Sequence, residues 1–241
     1  MPAAQNTSPD RGPASAALWQ TWAGEAVALL PERALWWPRE HTLFVADVHL
    51  GKAASFRAQG VPVPTGTTQD NLERLSALLR QYPARRLVVL GDWLHAASGR
   101  TAAVLAAWRQ WRQRHAALAH VLVRGNHDAH AGAPPADLGL QTVAEPWHLG
   151  PFACCHHPQT LPGRFVLAGH VHPVCRLRGP GRDVLRLPCF AQHADGALLP
   201  AFGAFTGGHL IMPPASGALY PIGGGRVWRL DAGYPLPAPP G

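Results

Sequence analysis

The sequence predicts an α/β fold in which two packed β-sheets are flanked by helices. One observation is the order of runs in the middle of the chain, which alternate as strand, helix, strand, helix, strand. That order is typical of parallel strands joined by covering helices. A second observation is the change after Gly139 to short β-rich runs separated by Gly and Pro turns, which supplies the strands of a second sheet.

The length and composition favour one folded unit. The 241 residues are 47% hydrophobic and 15% charged, which is enough for one well-filled core and too little chain for two ordinary α/β domains. We therefore predict a single domain over residues 14–233. A mobile tail over 1–13 precedes it, and a Pro-rich tail over 234–241 follows it.

The composition also excludes several classes of protein. No run approaches the roughly 18 uninterrupted apolar residues that a membrane-spanning helix needs, and the first residues lack the order of a signal peptide. The four cysteines form neither a CxxC pair nor a disulfide framework, so reduced thiols are predicted. We therefore expect a cytoplasmic protein.

The individual elements follow from the spacing of apolar residues. Residues 67–81 predict an amphipathic helix with Asp70 in its first turn, and residues 101–118 predict a second helix on which Trp108 and Trp111 face the core. Strands are predicted over 26–30, 35–37, 42–46, 86–90, 119–123, 140–143, 152–155, 164–168, 174–177, 184–187, 219–222 and 227–230, the last two as a hairpin.

The charge balance favours a partner that carries phosphate. Lys and Arg number 21 against 14 Asp and Glu, and Lys52 is the only lysine. The planar fork of arginine donates two hydrogen bonds to a pair of phosphate oxygens, although a positive balance also serves solubility. The group Arg176, Arg178 and Arg182 is interpreted either as a track for a phosphodiester backbone or as a solvated basic loop.

Polar residues of one chemical kind follow five of the predicted strands. Because strand ends of an α/β sheet carry the functional loops, these side chains are expected to meet at one edge. The alternation of side chains along a strand would aim both members of each Asp-x-His or His-x-His pair at one point. The seven candidate metal ligands are Asp47, His49, Asp92, Asn126, His156, His170 and His172.

Asp, Asn and His together form a set of oxygen and nitrogen ligands. Such a set suits Mn²⁺, Zn²⁺ or Fe and contains too much nitrogen for Ca²⁺ or a typical Mg²⁺ site. Seven ligands exceed the need of one ion, whereas two ions about 3.5–4 Å apart that share a carboxylate would use them all. The sequence alone does not choose between His156 and the adjacent His157 as a ligand, although strand alternation would send them to opposite sides.

The ligands lie in five motifs, which are Asp47-x-His49, Gly91-Asp92, Gly125-Asn126-His127-Asp128, His156 and Gly169-His170-x-His172. These motifs, in this order, resemble those of the calcineurin-like metallophosphoesterase superfamily over about residues 42 to 175. The resemblance implies a four-layer αββα sandwich around two metal ions, with Asp92 bridging them. By the same resemblance one ion would be held by Asp47, His49 and His172, and the other by Asn126, His156 and His170. The matching histidine, His127, would either protonate the leaving oxygen or stabilise the charge of the phosphorane-like transition state, and Asp128 could hold its ring in orientation.

Further motifs narrow the resemblance to the DNA-ligase-associated branch, the PdeM-type endonucleases. They extend from the Asp47–Lys52 run through Phe56-Arg57 and residues 60–68 to residues 199–208, so this resemblance covers roughly 24–230. It implies a Mn²⁺-dependent phosphodiesterase that cuts DNA by attack of a metal-bridging hydroxide. It also implies a role in DNA repair and an association with a DNA ligase and a helicase.

Three residues are candidates for binding the substrate. Lys52 and Arg57 could contact the phosphodiester backbone. The spacing from Asp92 to His95 is similar to that of a second nuclease group in the superfamily, in which the matching histidine lies near the substrate. Two other functions stay open: a phosphomonoesterase on the same scaffold, and a non-catalytic interaction module.

Overall fold

The computed structural model describes residues 16–64, 66–178, 183–204 and 206–231. The tails predicted over 1–13 and 234–241, and Arg182 of the basic group, lie outside these ranges. The prediction of a single domain therefore stays a prediction. Within the described ranges, no helix has the length and apolar character needed to cross a membrane.

Over the residues that the structure describes, the first sheet contains seven strands that lie side by side in chain order. Its first four strands pair antiparallel, and the last four pair parallel from β4 to β7. The parallel half is the strand-helix alternation that the sequence predicts. The strands are β1 (Leu18–Trp22), β2 (Glu25–Leu30), β3 (Ala34–Trp37), β4 (Thr42–Val45), β5 (Arg86–Leu90), β6 (Ala119–Val123) and β7 (Leu140–Val143).

The second sheet contains the strands that follow the first sheet in the chain. Its central path runs β14-β11-β12-β13-β10-β9-β8, and β15 joins through β12. The strands are β8 (Trp147–Leu149), β9 (Phe152–Cys154), β10 (Phe165–Ala168), β11 (Pro173–Arg178), β12 (Val184–His193), β13 (Gly196–Leu198), β14 (His209–Leu210), β15 (Ala218–Gly223), β16 (Arg226–Val227) and β17 (Leu230–Asp231).

In the described part of the chain, the α-helices that connect these strands are α1 (Lys52–Ala58), α2 (Thr67–Gln81), α3 (Ala102–Arg114) and α4 (Asn126–Ala131). Helix α2 has the predicted bounds. Helix α3 begins after Thr101, whose hydroxyl accepts a hydrogen bond from Val104 N at 3.3 Å, and it ends four residues before the predicted end. The sequence does not predict α1 and α4, because helices of one or two turns have too few residues to display a period.

The other differences from prediction concern strands. Strand β12 continues six residues past its predicted end, because Pro188 lies within the strand, opposite Val174, rather than ending it. The predicted strand 227–230 is divided into β16 and β17, which both pair with β15. The sequence does not predict β1, which lacks a continuous apolar run, nor the short strands β8, β13 and β14.

The core lies in three layers that confirm the predicted two-sheet class. Along β5, Leu87 and Val89 pack against helices α2 and α3, whereas Val88 and Leu90 face the second sheet. Trp108 and Trp111 of α3, which are both predicted to face the core, are fully buried. The third layer, on the far face of the second sheet, consists of strand and loop residues. All four cysteines are buried free thiols.

A buried histidine lies in the layer beneath the helices. His120 of β6 packs edge-on against the Trp93 and Trp111 rings, with centroids 4.8 and 5.8 Å away. Neither of its ring nitrogens has a hydrogen-bond partner among the described residues. Because burial penalises the charged imidazolium, the pKa of His120 is lowered to about 3.

This lowered pKa predicts that His120→Leu protects the protein against acid. The unfolded chain takes up a proton on His120 below about pH 6.5 and the folded chain only near pH 3, so stability is lost as pH falls through that window. The free energy of unfolding of the variant, relative to that of the wild type, should be about 2 kcal/mol higher at pH 5 than at pH 7. Urea unfolding in EDTA at both pH values measures this difference. The matched control is the exposed His148→Leu; an equal gain at pH 5 and pH 7 would contradict the prediction.

Candidate metal centre

The carboxyl ends of five strands meet at one edge of the sandwich. Strands β4, β5 and β6 of the first sheet end there, as do β9 and β10 of the second. A short bridge between Ala46 and Ala201 joins the two sheets at this edge. The amides of Phe202 and Gly203 donate to the carbonyls of Ala46 and Asp47 at 2.8 and 3.0 Å. These bonds hold the segment after β4 in place.

One group of candidate ligands gathers after β4. Asp47 Oδ1 lies 3.5 Å from His172 Nε2, and the Nε2 atoms of His49 and His172 are 3.4 Å apart. One ligand atom from each of these three residues lies within 4.8 Å of the others. Asp47 and His49 are buried, and His172 is partly exposed at the mouth of the site.

A second group gathers beside the first. His156 Nε2 lies 2.8 Å from Asn126 Oδ1 and 3.0 Å from His170 Nδ1. Asp92 lies between the two groups, because its Oδ2 is 3.6 Å from His156 Nε2 and 3.9 Å from His49 Nε2. The structure therefore brings all seven candidate ligands together.

The backbone at these residues explains how the side chains converge. Five of the seven have left-handed conformations, with φ of 52° at Asp47, 50° at His49, 53° at Asp92, 66° at His170 and 51° at His172. Strands β4 and β10 end before these pairs, so strand alternation does not aim them, contrary to the expectation above. Such conformations are uncommon outside glycine and occur more often for Asp and His than for most residues.

Two glycines make room for this arrangement. A Cβ on Gly91, whose φ is +80°, would overlap the His156 ring, and a Cβ on Gly125 would overlap the Asp92 carboxylate. The glycines of the Gly-Asp and Gly-Asn-His motifs are therefore needed because a side chain at either position would clash with a candidate ligand. Gly91 also adopts a positive φ that glycine tolerates best.

The donor atoms of the site are suited to binding a metal ion, because two of them, Asp47 Oδ1 and His49 Nδ1, are buried without a hydrogen-bond partner among the described residues. Burial raises the pKa of Asp92, and Asp47 raises it further, whereas His156 and His127 act in the opposite direction. Burial also lowers the pKa of His49, with Lys52 and His172 adding to the shift. Carboxylate, amide oxygen and neutral imidazole are the ligands that Mn²⁺, Zn²⁺ and Fe accept.

The adjacent histidines differ in their surroundings. The His156 ring is fully buried among the candidate ligands, and its Nδ1 lies 3.2 Å from the Leu90 carbonyl oxygen, which leaves Nε2 free toward the site. The His157 ring is 45% exposed and bonds to Glu145. A ligand atom of His157 also lies within 4.8 Å of those of His156 and His170. His156 is in addition close to Asp92 and Asn126, and these contacts favour His156 as the ligand.

His127 lies at the rim of this cluster. Its Nδ1 bonds to the His95 carbonyl oxygen at 2.7 Å, and its Nε2 lies 4.0 Å from Asp92 Oδ2. Asp128, expected to orient the ring, instead accepts hydrogen bonds from the amides of Leu94 and Gly125 at 3.0 and 3.1 Å. The ring is therefore oriented by main chain, and burial raises the pKa of Asp128 to about 6.

The three residues predicted to contact the substrate, His95, Lys52 and Arg57, differ in their surroundings. His95 stacks on His127, with ring centroids 4.9 Å apart, and burial lowers the pKa of His95 to about 4. Lys52 begins α1, where burial lowers its pKa while the carboxylates of Asp47 and Asp92 raise it. Arg57 is exposed and donates to the Pro64 carbonyl at 3.0 Å. Arg57 therefore supports the 61–64 segment.

Sequence reasoning missed Glu145 and the main-chain acceptors. Glu145 lies in the loop between β7 and β8 and accepts hydrogen bonds from the amides of His156 and His157. The carbonyls of Leu90 and His95 fix two ring orientations. No local pattern marks these groups, because each acts across a long stretch of sequence.

The chain is similar to proteins of known class. Residues 41–157 match the family model described as calcineurin-like phosphoesterase. The crystal structure of Pseudomonas putida nuclease MPE is 48% identical, with a TM-score of 0.79 over 89% of this chain and 100% of that chain. Yfce, a phosphoesterase from E. coli, is 18% identical, with a TM-score of 0.43 over 79% of this chain and 98% of that chain. No curated protein sequence matches the chain.

The burial of Asp92 predicts that Asp92→Asn stabilises the metal-free protein. Asparagine also tolerates the left-handed conformation and removes a buried negative charge, so a gain of about 0.5–2 kcal/mol is expected at pH 8. Because the pKa of Asp92 is raised, this gain should shrink at acid pH, where the wild-type carboxyl takes up a proton.

Thermal unfolding in EDTA measures this gain, with the exposed Asp195→Asn as the matched control. Added Mn²⁺ should stabilise the wild type more than the Asp92→Asn variant. A metal-free variant less stable than the wild type would contradict the prediction.

Proposed function

Because the chain belongs to the calcineurin-like phosphoesterase family, we propose that this metal-dependent phosphoesterase is a nuclease that hydrolyses phosphodiester bonds in DNA. The observation that carries the proposal is the convergence of two buried carboxylates, an amide oxygen and four imidazoles on one edge of the sandwich. The similarity to a nuclease over the whole length of that nuclease supports the choice of a nucleic acid as substrate.

We propose that each of the two groups of candidate ligands described above holds one metal ion. Asp47, His49 and His172 would hold one divalent ion, and Asn126, His156 and His170 would hold the other. Asp92, whose Oδ2 faces both groups, would bridge them. When bound, two such ions polarise a phosphate oxygen and lower the pKa of a shared water to near 7. We propose Mn²⁺ as the ion, and Zn²⁺ or Fe would suit the same donors.

His127 is proposed as the proton donor. The bond from Nδ1 to the His95 carbonyl fixes the tautomer, so Nε2 is the atom that would carry the transferable proton in the imidazolium form. With 38% of its side chain exposed, His127 can reach a bound phosphodiester. As the bond from phosphorus to the leaving oxygen breaks, the proton on Nε2 would pass to that oxygen.

The remaining residues would bind the substrate. Lys52 and His95 flank the carboxylates and His127, and Arg57 lies at the end of α1; these are proposed to contact the phosphodiester backbone. The resemblance to DNA-ligase-associated nucleases supports a role in DNA repair, in the cytoplasm, together with a DNA ligase and a helicase.

His127→Ala tests this proposal through its leaving group. The variant should bind Mn²⁺ normally, because His127 is not a proposed ligand. Its cleavage of DNA should fall by about 10²–10⁴-fold. Its hydrolysis of bis(p-nitrophenyl) phosphate should fall far less, because nitrophenolate leaves with little need of a proton. Nuclease and nitrophenol-release assays on one preparation measure both rates.

Exposed His148→Ala serves as the matched control for His127→Ala. Unchanged DNA cleavage by His127→Ala would contradict its role. A wild-type protein that hydrolyses p-nitrophenyl phosphate but neither diester would be a phosphomonoesterase, and one that hydrolyses none of the three would be a non-catalytic module.

A further inference from the structure

A β-hairpin leaves directly from the candidate metal centre. Strand β11 begins at Pro173, the residue after His172, and pairs antiparallel with β12. Its register sets Cys175 opposite Leu187 and Arg176 opposite Arg186. Cys175 and Leu187 belong to the apolar layer on the far face of the second sheet. Because side chains alternate along a strand, the two arginines lie on the other face.

The two arginines lie opposite each other in the register, and neither has an acidic partner among the described residues. Like charges directly opposite on paired strands destabilise a sheet. In the part of the chain that the structure describes, the arginines in ion pairs are Arg39, Arg86, Arg109 and Arg229. Arg176 and Arg186 therefore present positive charge that no described carboxylate neutralises.

This charge lies close to the candidate centre. Arg186 donates a hydrogen bond to the Gly208 carbonyl, and the next residue, His209, donates from its amide to the His172 carbonyl at 3.1 Å. Arg176 lies four residues beyond His172, which is about 13 Å along a strand. The distance from His172, a proposed metal ligand, to Arg176 is therefore similar to the length of about four base-pair steps of DNA.

We propose that this face of the β11–β12 hairpin binds the sugar-phosphate backbone of a DNA strand beside the bond to be cut. The inference rests on the proposed nuclease function. Each guanidinium can donate paired hydrogen bonds to phosphate oxygens, and phosphate supplies the negative charge that both arginines lack. A small diester does not extend to the hairpin, so only a polymeric substrate uses this surface.

The double variant Arg176→Gln/Arg186→Gln tests this surface. Binding of a short fluorescein-labelled DNA duplex to the metal-free protein, followed by anisotropy over a range of salt, should weaken by about tenfold or more at low salt. The slope of log K against log salt should fall by about 2. Hydrolysis of bis(p-nitrophenyl) phosphate with Mn²⁺ should stay within about twofold of the wild-type rate, because a small diester does not reach the hairpin.

The matched control is Arg80→Gln/Arg114→Gln, which removes the same charge from exposed positions near the far ends of α2 and α3. Equal DNA binding and slope in the two double variants would overturn the proposal. So would parallel losses on DNA and on the small diester, since the hairpin would then support the centre itself. If the double variant does not fold, Arg176→Gln alone should lower the slope by about 1. Wild-type protein that binds DNA with the steep slope but does not cut it would refute the nuclease function alone.

A separate observation concerns Glu145. Its Oε2 accepts hydrogen bonds from the amides of His156 and His157 at 2.6 and 2.9 Å, and its Oε1 lies 2.6 Å from His157 Nδ1. Regular pairing of β9 with β10 ends at Cys155, whose amide donates to the Leu167 carbonyl at 2.9 Å. The next two amides therefore depend on the Glu145 carboxylate.

We infer that Glu145 is a positioning residue for the second ion. Its bond to the His156 amide sets the path of the chain as it leaves β9, and thereby the approach of His156 Nε2 to Asn126 and His170. The inference rests on the metal ligands proposed above. Carboxylates that orient a ligand in this way typically change metal affinity by about 10–100-fold.

Calorimetric titration of Mn²⁺ into the metal-free protein tests Glu145. Wild-type protein should bind two ions, and Glu145→Ala should weaken one site by about 10–100-fold while leaving the other unchanged. Glu145→Gln should restore most of the loss, because its amide oxygen still accepts from both main-chain amides. Exposed Glu73→Ala is the matched control.

If the Glu145→Ala variant binds Mn²⁺ at both sites with the affinities of the wild type, the inference is overturned. Equal weakening of both sites, or a Gln variant as weak as the Ala variant, would also overturn it. If the Ala variant does not fold, Glu145→Met removes the acceptor with a side chain of similar length. A wild type that binds fewer than two ions would instead refute the proposed ion pair.

Discussion

The site depends on the meeting of two sheets at their carboxyl ends. The bridge between Ala46 and Ala201 and the bond from the Gly203 amide to Asp47 join the sheets where the ligand-bearing loops begin. That junction holds Asp47 and Asp92 in one buried pocket ringed by histidines. Two carboxylates in such a pocket are unfavourable when both are charged, and either a proton or a bound cation compensates them.

The same arrangement stores strain and charge in the metal-free protein. Left-handed backbone at non-glycine residues costs about 1–3 kcal/mol each, and five candidate ligands adopt it. Because the core layers on either side are well packed, the fold can hold these residues in unfavourable states. Cation binding would offset both penalties, so stability and metal loading should be coupled.

Elements with a clear period could be predicted from the sequence, and elements without one could not. Helix α2 and strands β5 and β6 have the expected bounds because each presents apolar residues at the spacing of its own structure. The ligands were identifiable by residue type and position after strands. The left-handed backbone, the main-chain partners of His127 and His156, and the Glu145 contacts were not, because they depend on tertiary packing.

The most direct measurement is anomalous X-ray scattering from crystals of the protein loaded with Mn²⁺. The account predicts two manganese peaks about 3.5–4 Å apart, one within bonding distance of Asp47 and His49 and the other of Asn126 and His170, with Asp92 between them. A single peak, or peaks remote from these residues, would contradict it.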